Sequence, residues 1–464
     1  MTDDQTALAL IREHAIDCLI WFSRRPVPEA LLRAPTLGVW RYCFGGGTDS
    51  DGRWSCLEEI SQDAHVINIR LVRLVAGAGE VLRKAVVGTV RRSYRATLTA
   101  ATSAAAHLLA QACVEHQRTA SSGASREQVI IEHHQRKAHM ARQAVSAAMK
   151  MLRYRVEWML RWATISEQWT LGVVDRPIAD CLDDDFLKTV RFVATDKAHY
   201  LADGFGWVRD GRRFVLCEQY DYKANRGLIV WLELDAQANI VTGPKPALDI
   251  DVHASYPYLF NHDGKMYCCP EAWESGSLAL WEAIDPPAVW RQWGEILPDV
   301  PAIDPVVFHH DGLWWLLCGR EDDQPHEKLY GYYAETPSGP WRPHELNPLT
   351  IDVRCARSAG TPFRHDGHLY RPGQDCSRTY GGRLCITRVT QLSPDHFAEE
   401  VVRTIDAPSG TDFPDGIHTI SPFGDGTLID AKRWQLSPRG FWLKARKLLA
   451  QLRWTNRSED RKSP

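Results

Sequence analysis

The sequence predicts a mainly β protein: a five-bladed β-propeller over residues 166–434, behind a small N-terminal α/β segment and a helical linker. Three observations predict it. Helical periodicity vanishes near residue 168. Short β-rich runs then alternate with Asp-Gly, Pro-Gly and Asn-Pro turn signals. Finally, one hairpin recurs: Val-Arg-Asp210-Gly211-Arg, Asn-His-Asp263-Gly264-Lys, His-His-Asp311-Gly312-Leu, Arg-His-Asp366-Gly367-His and a weaker Phe-Gly-Asp425-Gly426-Thr. Asp-Gly between two apolar runs marks a tight hairpin, because glycine accepts the positive φ that such a turn needs. Hairpins about 50 residues apart match one four-stranded blade each.

The repeat also carries a register. In a propeller the strand before such a hairpin is the innermost of its blade, and its first residues line the channel mouth. Seven residues before each hairpin Asp stand Asp203, Tyr256, Asp304, Ala359 and His418, with Ser255, Arg357, Ser358 and Thr419 beside them. The strand after the hairpin returns to the same mouth. Eight residues after each Asp stand Glu218, Glu271, Gly319, Gln374 and Arg433, with Arg320 and Asp375 adjacent. The register therefore brings Asp203, Asp304, Glu218, Glu271, Asp375, Arg357 and His418 towards one opening. Unpaired charges are costly in a core, so this cluster is the candidate site. Taken singly, each carboxylate also fits a bland role, accepting backbone amides at a strand start.

Such a ring suits sugar chemistry. Cleaving a glycosidic bond takes one ionised carboxylate and one carboxyl group held protonated. Asp203 is the candidate base or nucleophile, and Asp304 would orient the substrate and hold the acid's pKa. Glu271 is the candidate acid: it ends the partly apolar run Met266-Tyr-Cys-Cys-Pro270, and an apolar setting raises a carboxyl pKa. Glu218 is its substitute. Trp207, Trp273, Tyr256 and Tyr258 are candidates for stacking on sugar faces. Binding of a glycan or glycolipid without cleavage is the alternative function, and hydrolysis and transglycosylation both stay open.

The blades resemble a known family. His253-Ala-Ser-Tyr-Pro-Tyr258, Asp263-Gly-Lys-Met-Tyr267, Pro270-Glu271, Ile303-Asp-Pro305, Gly339-Pro-Trp341, His344-x-x-Asn347-Pro348 and Arg371-Pro-x-Gln374-Asp375-Cys376-Ser377 look like the propeller domain of glucosamine inositolphosphorylceramide transferase proteins. The resemblance covers about residues 165–434, and its most specific part is the Arg-Pro-x-Gln-Asp-Cys-Ser run. It implies the fold of arabinanases and invertases, with catalytic carboxylates around the channel mouth. The candidate set is then Asp203, Asp304 and Glu271 as catalytic, with Glu218, His253, Tyr256, Arg357, Arg371, Gln374, Asp375 and His418 binding substrate. Some related propellers hold calcium near a histidine at the place of His418; a lone histidine more often serves hydrogen bonding, so no cofactor is expected. Where such propellers usually carry Ala-Asp-Pro, this sequence has Ala202-Asp203-Gly204. No glycosyltransferase domain follows residue 434, so the plant ceramide-directed activity is not carried over.

Residues 1–120 read as α/β, with a short strand at Asp17–Phe22, a glycine loop at Gly45–Gly47 and an alanine-rich helix from about Ser93 to Ala120. Leu37-Gly-Val-Trp-Arg-Tyr-Cys-Phe-Gly45 resembles a formyltransferase-like half-domain. Cys43, Phe44 and Gly46 stand where that chemistry needs histidines and an aspartate, so a degenerate, non-catalytic segment is expected.

Residues 121–165 form the linker, and 126–163 have helical periodicity without proline or glycine. Bases recur at Arg136, Lys137, Arg142, Lys150, Arg153, Arg155 and Arg161, while Val145, Met149, Leu152, Val156 and Met159 make one apolar face. Residues 438–454, within the terminal segment 435–464, repeat the pattern with Trp442, Leu443, Leu448, Leu449 and Leu452. Such a helix can lie on an anionic membrane; the simpler expectation is that it packs on its own protein with its charges in solvent.

Composition narrows the rest. A net charge of −3 gives no general attraction to nucleic acid. Twelve cysteines are scattered without metal spacing. The acidic N-terminus lacks a signal-peptide pattern, so a cytoplasmic protein is expected, with membrane association left open. The 18 tryptophans serve a large core first and sugar stacking second.

Overall fold

The computed structural model describes residues 3–22, 26–45, 56–75, 78–118, 127–130, 140–196 and 198–436. The expected helix at 438–454 and Gly46 and Gly47 lie outside these. The chain divides into two units. One comprises residues 1–155 together with Glu345–Val353; the other comprises 156–344 and 354–464.

Unit one is α/β. Five strands, Cys18–Ile20, Gly38–Phe44, Val66–Val75, Ala78–Gly88 and Gln128–Ile130, hydrogen-bond in that order, the first pair parallel and the others antiparallel. Helix Tyr94–Arg118 covers the sheet with Ala100, Ala101, Ala104, Ala105, Leu108 and Ala112. Their spacing of three and four puts small side chains on one stripe and lets the backbones approach closely. Gln111 Nε2 donates to the carbonyls of Leu346 and Pro348, 2.9 and 2.5 Å away, so Glu345–Val353 packs here although it interrupts the β-rich stretch.

The linker differs from expectation in two ways. Gln128–Ile130 is a strand, because its apolar β-formers complete the sheet edge beside Ala78–Glu80. A helix runs over Met140–Thr164, and residues 131–139 of the expected helix lie outside the described residues. Its sequence-predicted apolar face is also not the packed one: Val145, Met149, Leu152, Val156 and Met159 are all exposed, while Ala147 and Met151 meet Leu57 and Ile60.

Unit two is mainly β and contains five paths of four hydrogen-bonded antiparallel strands. Sheet I is His199–Arg209, Arg212–Asp221, Arg226–Leu234 and Ile240–Pro246. Sheet II is Ser255–His262, Lys265–Glu271, Leu278–Asp285 and Val289–Leu297. Sheet III is Ala302–His310, Leu313–Arg320, Lys328–Ala334 and Arg342–Pro343. Sheet IV is Phe363–His365, His368–Asp375, Arg383–Ser393 and His396–Asp406. Sheet V joins the two ends of the unit: Ile420–Phe423 and Gly426–Leu436 are followed by Ile165–Val174 and Arg191–Phe192. Ten consecutive pairs, from Thr427 opposite Val174 to Leu436 opposite Ile165, lock that junction.

Four of the predicted hairpins turn where expected. Asp210, Asp263, Asp311 and Asp366 have φ near 50°, each followed by a glycine at positive φ. The fifth does not. Phe423 faces Gly426, so the turn residues are Gly424 and Asp425, with Gly424 at φ 62°. Register counting in sheet V is therefore one residue off.

Candidate functional site

One backbone irregularity builds the site. Pairing between the first and second strands slips between Ala202 and Phe205 in sheet I, Ser255 and Tyr258 in sheet II, and Ile303 and Val306 in sheet III. Inside each bulge sits a residue of positive φ: Asp203 at 54°, Tyr256 at 45° and Asp304 at 45°. A bulge adds a residue to one strand and re-aims its side chain. Asp tolerates this left-handed conformation, whereas Tyr adopts it only under tertiary constraint. Pro follows at 257 and 305 and Gly at 204, yet the bulge forms in all three, so the missing proline does not alter it.

Each bulge amide is capped by a carboxylate of the neighbouring sheet. Asp203 N donates to Asp430 Oδ2 (3.0 Å), Tyr256 N to Asp203 Oδ2 (3.3 Å) and Asp304 N to Glu271 Oε2 (2.9 Å). The bland role read from the sequence is thus real: these acids satisfy buried amides. The same bonds tie sheets V, I, II and III together at one place.

Around Asp203 the partners are polar and cationic on one side. Thr419 Oγ1 donates to Asp203 Oδ1 (2.9 Å), and His418 Nε2 lies 3.6 Å from the same oxygen. His418 Nδ1 lies 2.7 Å from Asp430 Oδ2, and its ring stacks on Trp169 with centroids 4.0 Å apart. Burial pushes the Asp203 carboxyl up; His418 opposes, Asp430 and Asp304 add, and the result is a pKa of about 6. Burial works against charge on His418, but Asp430 and Asp203 outweigh it and raise its pKa. Asp430, despite burial, is held below the usual carboxylate range by His418.

Around Asp304 the company is different. Arg357 Nε and Gln374 Nε2 both donate to its Oδ2, at 2.6 and 2.8 Å. Arg357 also lies 4.0 Å from Glu271 Oε2, hydrogen-bonds His326 Nδ1 at 3.2 Å and sits over the Tyr380 ring at 5.0 Å. Burial, then the Asp304 charge, lifts Glu271 well above the normal glutamate value, with Arg357 only partly offsetting them. Glu218, 5 % exposed, is lifted likewise by burial and then by Asp203 and Glu271. Among the described residues its Oε1 has no hydrogen-bond partner, and it stands 3.8 Å from His253 Nε2. Gly227 makes that place: a Cβ there would lie 2.2 Å from Glu218 Oε1.

The predicted residues separate into two sets. Asp203, Asp304, Glu271, Glu218, Arg357, Gln374 and His418 are drawn together as the register required, with His253 beside Glu218. The others are engaged elsewhere. Tyr256 is fully buried, its ring packed on Phe205 and its hydroxyl accepting the Gly360 amide at 2.6 Å, so it serves the core instead of a sugar face. Tyr258 is buried in the same cluster. Arg371 makes a two-pronged bond to Glu399 at 2.9 and 2.8 Å and a third to the Cys355 carbonyl. Asp375 takes the Arg383 guanidinium at 2.5 Å and the Ser377 amide. Trp207 packs on Phe214, and Arg433 bonds Gln168. Sequence reasoning missed Asp430, Tyr380, His326 and Trp169. None of the four falls at a position counted from the hairpins.

Asp203, His418 and Asp430 offer ligand atoms within 4.8 Å of one another. Calcium needs six to eight oxygens. Here Asp430 already accepts the amides of Asp203, His418 and Thr419, and His418 Nδ1 faces Asp430. This nitrogen-containing, hydrogen-bonded set does not fit calcium.

Residues 160–412 match the family described as glucosamine inositolphosphorylceramide transferase 1, N-terminal, over more than half of the chain. The Arabidopsis thaliana protein named glucosamine inositolphosphorylceramide transferase 1 is 36 % identical over 212 residues, 44 % of this chain and 27 % of that protein. Its namesake from Oryza sativa subsp. japonica is 35 % identical over 208 residues, 44 % of this chain and 28 % of that protein. The match thus spans little more than a quarter of these relatives. Among solved structures, Zg3597, a family 117 glycoside hydrolase of Zobellia galactanivorans, aligns with a TM-score of 0.38 and 12 % identity, over 58 % of this chain and 90 % of its own. A GH43_1 enzyme from Xanthomonas citri aligns with a TM-score of 0.36 and 13 % identity, over 52 % and 89 %.

Proposed function

The chain belongs to the glucosamine inositolphosphorylceramide transferase 1 N-terminal family, and from that premise and the carboxylate cluster we propose that unit two cleaves or transfers a glycosyl group. One observation carries the reading. Buried carboxyl groups in a single network are shifted to different extents: Asp203 is raised to about 6, while burial and neighbouring carboxylates raise Glu271 and Glu218 well above the usual glutamate value. Separated pKa values of this kind assign base and acid. Asp203 acts as base or nucleophile and Glu271 as acid. Arg357 fixes Asp304, which orients the sugar and keeps the Glu271 proton in place. The five sheets are read as five propeller blades, supported by the capping bonds that join sheets V, I, II and III and by the Gly360–Ile420 bridge between IV and V.

The names of the relatives put glucosamine conjugates and inositolphosphorylceramide first among substrates to screen, beside aryl glycosides and activated sugar donors. The screen is run on the wild type, Asp203→Asn and Glu271→Gln. Turnover of a found substrate that neither substitution changes sinks the proposal. A second reading, glycan binding without cleavage, is favoured by the capping bonds, which already occupy Asp203, Glu271 and Asp430. A bound glycan with no product after long incubation would establish it.

We also propose that unit one is a non-catalytic formyltransferase-like remnant. Cys43 is buried within strand Gly38–Phe44, where that chemistry would need an accessible histidine. Formyl transfer to an amino sugar by the intact chain would overturn this.

A further inference from the structure

Helix Met140–Thr164 has two faces with different fates. On one, Ala147 and Met151 pack on Leu57 and Ile60. Lys150 Nζ and Tyr154 OH both reach Asp63, each at 2.6 Å, and Arg155 Nε donates to the Arg92 carbonyl at 2.9 Å. On the other, Val145, Met149, Leu152, Val156 and Met159 recur at steps of four and three and share a stripe. They are 58, 64, 64, 43 and 53 % exposed, and Leu160 beside them is 60 % exposed. Isolated exposed apolar side chains are ordinary, but a continuous stripe of this kind marks a binding surface.

Charge identifies the partner. Arg142 and Arg153 are exposed beside the stripe, Arg161 adds a further charge, and Glu157 is the helix's only acid. Long basic side chains with apolar stems suit the boundary between hydrocarbon and headgroups. Among the described residues no helix is long and apolar enough to cross a membrane, so the pattern is that of a helix lying on a surface. Two protein occupants are disfavoured by sign. A second copy would set the same arginines against themselves. Residues 438–454 carry Arg439, Lys444, Arg446, Lys447 and Arg453 with no acid, and like charges across an interface repel.

We propose that helix Met140–Thr164 docks this protein on an anionic lipid surface, its Val145–Met159 stripe inserted among the lipids and its marginal arginines on the headgroups. The test sediments the intact chain with vesicles of phosphatidylcholine alone and of phosphatidylcholine mixed with phosphatidylserine. Binding is expected to the mixed vesicles, to fall as salt rises, and to be slight on the neutral ones. Met149→Glu combined with Leu152→Glu weakens partitioning by at least about tenfold, and Arg153→Ala by about fivefold. Both sites are exposed, so melting temperatures matching the wild type confirm an intact fold. Absence of binding to mixed vesicles, or binding unmoved by the double substitution, overturns the proposal. So does a dimer that ignores vesicles and dissociates on the double substitution, which would assign the stripe to a second copy.

Discussion

Asp203 and Asp304 occupy the same bulge in sheets I and III, with nearly the same φ, and differ in what surrounds them. Asp203 is met by a hydroxyl at 2.9 Å and an imidazole at 3.6 Å, Asp304 by a guanidinium at 2.6 Å and an amide at 2.8 Å. A guanidinium is permanently charged and donates in a fixed fork. An imidazole is a weaker, titratable partner. One repeat position thus yields a carboxylate free to exchange a proton and another tied into a buried ion pair. Backbone geometry places the group, and the side chains of neighbouring sheets decide its role.

The comparison is most exposed at Asp203. Asp203→Asn keeps one acceptor oxygen in place of the two that serve Thr419 and Tyr256 and removes the base, so turnover of the screened substrate falls about a thousandfold with a smaller loss of stability than at Asp304. Asp304→Asn strands the buried Arg357 charge and destabilises unit two by about 3–5 kcal/mol, read as a lower denaturant midpoint. Equal stability losses at the two positions would falsify the contrast drawn between them.

A smaller effect concerns pH. The Asp203 pKa is raised, so its contribution to stability is complete below the unfolded value of about 3.9 and is lost as pH rises through about 6. Activity runs the other way, rising through the same range as the base ionises. His418→Gln removes the charge that opposes burial, and the acidic limb of the pH–rate profile moves up by about one unit. An unmoved limb assigns it to another group. The smallest effect belongs to the third bulge residue. Tyr256→Phe leaves the Gly360 amide unpaired and lowers stability by about 1–2 kcal/mol without shifting the pH profile, as a core residue should.

Legibility from the sequence followed range. Asp-Gly turns are local chemistry, so four hairpins and the positions seven residues before them could be counted, and Asp203, Tyr256 and Asp304 do share one bulge. The count failed where the repeat was imperfect. At Gly424–Asp425 the turn moved by one residue, and Asp430 falls at neither the counted nor the shifted position. At Arg371 and Asp375 the motif marks residues that bond within sheet IV, to Glu399 and Arg383.

The amino-acid sequence by itself determined the β class, the repeat and the residues offered at its inner strands, since these rest on turn propensity and a two-residue period. Tertiary structure alone decided that Ile165–Val174 completes sheet V across some 250 residues of chain, which apolar stripe of helix Met140–Thr164 is packed, and which way each buried carboxyl pKa is pushed. Strand pairing at that range is selected by the faces it buries, and a protonation state by desolvation and partners within a few ångströms. Neither is written in neighbouring letters.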